Sequence, residues 1–161
     1  MIEPWLRGPI QGTPWHLMPV FHSFLQVRED LRLHTAGLTT VQVWRRMEPL
    51  PSLGFQLRHI AGSVDRLVTY LMEEDLSTAQ LAFLKCEADP DAHLDTLLRG
   101  VEDSLLHAEQ RFLAITEVTL QDARFIGRKR LPSTVLGLLV HVAEHTQRHL
   151  GQAITTAKLV R

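Results

Sequence analysis

An all-α fold, a four-helix bundle, is predicted by three features of the sequence: four long stretches with apolar residues at helical period, connectors marked by proline, glycine and capping residues, and few alternating strand patterns. Short connecting helices and an N-terminal arm over 1–14 complete the expected architecture. At 161 residues, with no internal repeat or low-complexity stretch, the chain is expected to form one domain spanning 1–161.

The first helix is expected in WHLMPVFHSFLQVREDLRLHTAG, where Leu17, Val20, Phe21, Phe24, Leu25, Val27, Leu31 and Leu33 form the apolar set. Pro19 fits its first turn, where a missing N–H costs little, and Gly37 suits the position just past its end. Thr39 or Thr40 can cap a short helix, VQVWRRM, stopped by Pro49 and Pro51. Ser52 then caps a second long helix, LGFQLRHIAGSVDRLVTYLMEE, carried by Phe55, Leu57, Ile60, Val64, Leu67, Val68 and Leu71. A small helix, TAQLAFLKCE, follows Ser77. Asp89-Pro90 is expected to open the third long helix, DAHLDTLLRGVEDSLLHAEQRFLAIT, with Gly100 a weak spot inside it. TEVTLQDARFIGRKRLP lacks helical period, and RFIGRKR suits a short extended pair or a turn about Gly127. Pro132-Ser133-Thr134 begins the last helix, expected from about Val135 to Ala157.

Composition narrows the function. A net charge of −1 and the lack of a basic recognition helix argue against nucleic-acid binding. No apolar run reaches the roughly 20 residues that span a bilayer. MIEPWLRGPIQGTPW lacks the apolar core of a signal peptide, and Cys86 is the lone cysteine, so a cytoplasmic, reducing setting is expected.

The chemistry concentrates in HVAEHTQRHLGQ, residues 141–152, where His141, His145 and His149 share a helix face. The outer two lie about 12 Å apart along the axis, too far for one ion whose Zn–N bonds are about 2.0–2.1 Å. Either His141 with His145 or His145 with His149 can serve. The first choice matches the H-x-x-E-H string of some metallopeptidases, with Glu144 as general base, but the chain has little room for their substrate cleft. The second needs a ligand from another helix, and His59, within an otherwise apolar helix with Gly62 and Ser63 one turn on, is the best candidate.

LRHIAGSVDRL, followed some eighty residues later by STVLGLLVHVAEHTQRHLGQ, resembles the DinB-like superfamily, also called the YfiT-like metal-dependent hydrolases. The resemblance covers nearly the whole chain, and the E-H-x-x-x-H-x-G-Q pattern is its most specific part. It implies an up-down-down-up bundle, a homodimer, and a divalent metal (Zn, Ni, Mn or Fe) on His59, His145 and His149. It also implies a thiol-dependent transferase or hydrolase, with a low-molecular-weight thiol or another small molecule as substrate. Many relatives carry histidine where Arg148 stands here.

Gln56, three residues before His59, and Gln152, three after His149, are placed to orient a ligand, and His141 to sit in the core or beside the ligands. Arg124, Arg128, Lys129 and Arg130 form either a solvated loop or a cluster attracting an anionic substrate to the bundle's mouth. Trp5, Trp15 and Trp44 are expected to pack, the arm's pair over the bundle or a partner. The alternative to an enzyme is a non-catalytic metal-binding or interaction bundle.

Overall fold

A computed structural model describes residues 2–161. The four long helices are α1 (Met18–Thr35), α3 (Leu53–Leu71), α5 (Leu94–Phe112) and α6 (Val135–Leu159); α2 (Thr40–Trp44) and α4 (Thr78–Lys85) are connecting helices. Strands β1 (Ala123–Ile126) and β2 (Leu131–Thr134) pair antiparallel, with Ala123 opposite Thr134 and Ile126 opposite Leu131. Gly127 and Arg130, with φ of 66° and 47°, make the turn between them. The extended pair expected about Gly127 is this hairpin.

Caps set the helix starts. Ser52 accepts from the Phe55 N–H at the start of α3, and Thr134 accepts from the Gly137 N–H at the start of α6. Thr39, rather than Thr40, caps α2 and forms a reciprocal capping box with Gln42. Two helix starts differ from expectation. The segment opened by Asp89-Pro90 stays non-helical until Leu94, because Arg58 holds it in place through the Cys86 and Asp89 carbonyls and the Asp91 carboxylate. Pro132 and Ser133 belong to β2 instead of the helix start, since the hairpin continues to Thr134 before the chain turns.

Side-chain contacts fix the helix directions. His59 meets His145 while Gln56 meets His149, so α3 and α6 run antiparallel. Ser23 meets Ala143 and Arg161 meets the His34 carbonyl, so α1 and α6 run parallel. Near the start of α5, Asp91 pairs with Arg58 of α3, and at its end Arg111 pairs with Glu74, so α3 and α5 run parallel. The order is up-down-down-up. Buried apolar residues of all four long helices form one core, including Phe24 stacked on Phe112 with ring centroids 6.2 Å apart.

The N-terminal arm turns through a 3-10 helix at Pro4–Leu6, and Arg7 reaches Glu29 of α1 at 2.6 Å. Trp5 and Trp15 are largely exposed, so the expected packing of the arm's tryptophans over the bundle is not made within this chain. Trp44 does pack: it lies against Gly54, donates to the Ala92 carbonyl at 2.7 Å, and carries Arg58 over its ring. Among the described residues, no helix is long and apolar enough to cross a membrane.

Candidate metal centre

α3 and α6 bring His59, His145 and His149 together. One ring nitrogen from each lies within 4.8 Å of the others, and all three side chains are half-buried. The antiparallel crossing produces this arrangement: His145 and His149, one turn apart on α6, straddle the level of His59 on α3. His59 Nε2 lies 3.2 Å from His145 Nε2. Two nitrogens bound to one ion at about 2.0–2.1 Å in tetrahedral geometry are separated by roughly 3.3–3.4 Å, so the observed spacing fits a divalent metal site.

Two of the rings are anchored through Nδ1. His149 Nδ1 lies 2.8 Å from Gln56 Oε1, and Gln56 is almost fully buried. An amide oxygen only accepts, so His149 carries its proton on Nδ1 and leaves the Nε2 lone pair free. His59 Nδ1 lies 2.8 Å from Glu87 Oε2, and its ring stacks on Phe55 with centroids 5.5 Å apart. Glu87 is buried at 3% exposure in the connector after α4, and its other oxygen meets Arg66 Nη2 at 3.0 Å.

The electrostatics keep the cluster's nitrogens available. Burial, followed by the positive charges of His149, His59, His141 and Arg66, pushes the pKa of His145 down from the ordinary 6.5 to about 4. His149 is pushed to about 4 by burial first and then by the charges of His59 and Arg148; the nearby Gln152 side chain and the charge of Glu87 oppose the shift. Burial would raise the pKa of Glu87, but its hydrogen bond to His59 and the charges of Arg66 and His59 outweigh it and hold the carboxyl below its ordinary value. At neutral pH, His145 and His149 are therefore neutral imidazoles and Glu87 is an anion.

Of the two places expected for His141, the core and the side of the ligands, it takes the second. It is exposed, not in the core. Its ring lies beside His145, with centroids 5.3 Å apart, and its Nδ1 is 3.4 Å from Glu144. Glu144 pairs with Arg148 as well. This arrangement directs the carboxylate along the exposed face of α6 and leaves the peptidase-like string without a base at the cluster. Gln152 is exposed one turn beyond His149.

The basic segment lies elsewhere. Val135 stands ten residues before His145, about 15 Å along the axis of α6. Arg124 is occupied by the Leu71 carbonyl at 2.6 Å and by Glu73, and Arg130 lies over the Phe125 ring. These residues brace the hairpin against the end of α3; they do not line the histidine cluster.

Glu87, Arg66 and Arg58 escaped the sequence reading. Glu87 sits in a connector with no period to mark its facing, and its burial depends on Gly62. A Cβ at Gly62 would lie 2.8 Å from the Phe83 ring, 2.9 Å from Glu87 Oε1 and 2.7 Å from Arg66 Nη1. The small residue one turn after His59 was a visible signal, but its use is to admit the connector to α3.

Comparison with known proteins agrees with this architecture. A sequence model described as the DinB superfamily matches residues 23–153. The crystal structure of a conserved protein from Enterococcus faecalis superposes with a TM-score of 0.75 at 20% sequence identity, covering 92% of this chain and 98% of that one. A search of curated proteins gives no match.

Proposed function

Because this chain belongs to the DinB superfamily, we propose that His59, His145 and His149 ligate a divalent ion, Zn, Ni, Mn or Fe, in a small metal-dependent enzyme. The convergence of three imidazole nitrogens within 4.8 Å is the observation that carries this reading. Three protein ligands suit a catalytic site better than a structural zinc, which usually takes four. When bound, such an ion would keep its full charge and lower the pKa of a water or thiol at its open position.

The chain's own residues prepare that position. Gln56 holds the tautomer of His149, and burial keeps His145 and His149 neutral and ready to ligate. Phe55 shields one face of His59 from water. The reaction is transfer to a low-molecular-weight thiol, or hydrolysis, of a small electrophilic substrate, carried out by a cytoplasmic homodimer. The lone, exposed Cys86, which has no disulfide partner in the chain, is compatible with the reducing setting of this reading.

A second reading, a non-catalytic metal-binding bundle, draws on the position of two surface cavities. One of about 620 Å³ lies among Tyr70, Leu84, Phe125 and Arg128, and one of about 660 Å³ among Trp5, Trp15 and His22. Neither is lined by the three histidines.

Elemental analysis of purified protein beside His59→Ala and His149→Ala tests the ligands. Stoichiometric metal in the wild type and its loss in both variants are expected; full retention in both would sink the assignment. Turnover of electrophiles with a panel of low-molecular-weight thiols then separates the enzyme from the inert bundle.

A further inference from the structure

We infer that Glu87 is a positioning residue of the metal centre, fixing the tautomer and orientation of His59 from outside the four-helix core. The inference rests on the metal-centre reading above and deepens it. His59 donates from Nδ1 to a carboxylate that is itself buried and held on its other oxygen by Arg66. That bond leaves the Nε2 lone pair of His59 directed at the side of the cluster where His145 Nε2 lies, 3.2 Å away. A carboxylate behind a ligating imidazole orients the ring and raises its basicity, and loss of such a partner typically weakens metal binding by about 10–100-fold.

The surroundings are built to keep Glu87 there. Gly62 leaves the space through which the carboxylate reaches α3, and Arg58 ties the connector on both sides of it through the Cys86 and Asp89 carbonyls. Gln56 does the corresponding work for His149 from within α3. His59 and His149 are thus held through Nδ1 by acceptors of different charge, an amide within the bundle and a carboxylate from a connector outside it.

The test uses Glu87→Gln and Glu87→Ala in the full chain, with two readouts. In metal-free protein, nitrogen-proton correlation spectra report the His59 tautomer: wild type should show the proton on Nδ1, and Glu87→Ala a mixture with the Nε2 form. Zinc affinity, measured by competition with a chromogenic chelator, should fall about 10–100-fold in Glu87→Ala and less in Glu87→Gln, whose amide oxygen can still accept. Glu87→Gln keeps the shape of the side chain and carries the test if the alanine variant fails to fold. Unchanged tautomer and zinc affinity in folded variants would overturn the role of Glu87 alone. Failure of the wild type to bind any divalent ion would overturn both this role and the metal-centre reading.

Discussion

Gln56 shows how much one buried side chain can set at this site. Its oxygen is the acceptor that chooses which nitrogen of His149 is free, and its own burial leaves it no water to trade for that bond. Gln56→Leu should keep the bundle folded and weaken zinc binding about tenfold, as measured by chelator competition; equal affinity would show that His149 needs no acceptor there. The protonation of the two α6 histidines gives a second prediction. Their folded pKa values, about 4, lie below the ordinary 6.5, so between these limits the unfolded chain binds more protons than the folded one. The stability of metal-free protein should therefore be complete above about pH 6.5 and decline as pH falls towards about 4. Urea midpoints at pH 7 and pH 5 measure this, and His149→Ala should show a shallower loss. At this scale the sequence was readable where residues share a helix face. Gln56, His59, His145 and His149 all follow from spacing on two helices and the family pattern. His141 lies four residues before His145, a step that turns it about 40° around the helix, and whether that offset leaves it exposed depends on neighbours that spacing along its own helix does not reveal.

At the scale of elements, α3 does more than supply a ligand. One side meets α6 through Gln56 and His59, and another receives the α4 connector at Gly62. Its apolar period and its Ser52 cap are local signals, which is why its start is plain in the sequence. The connector is the opposite case: residues 86–93 have no period, and they are held by ion pairs and carbonyl contacts to Arg58 and Arg66, residues some thirty positions away or fewer. Gly62→Ala tests the packing between the two. The added methyl would meet Arg66, Phe83 and Glu87 at distances under 3.0 Å. These are the far ends of side chains that can move aside, and alanine gains about 1 kcal/mol of helix propensity inside α3, so the urea midpoint should change little while zinc affinity falls as Glu87 is displaced. A folded variant with unchanged zinc affinity would show that the connector can shift without moving His59.

For the whole molecule, the placement of the cluster has a thermodynamic consequence. The helices form a chain of neighbours in which α6 packs on both α1 and α3, and α3 on α5 as well. The cluster joins α3 and α6, the two helices at the middle of that chain, so an ion bound there ties together the pair on which the rest of the bundle leans. Their mutual direction could not be read from periodicity, which is blind to which end of one helix meets which end of another; the family resemblance implied it and the cross-helix contacts display it. Metal that binds only the folded state stabilises it by mass action, by about 2.7 kcal/mol at a free concentration one hundred times Kd. For a chain of this size that should raise Tm by roughly 5–11 °C over the chelated protein. Calorimetry with zinc and with excess chelator measures the difference. His149→Ala, which removes a ligand facing α3 but leaves the core apolar residues intact, should lose most of the metal-dependent rise. If the variant kept the full rise, the stabilising ion would have to bind somewhere other than the α3–α6 junction.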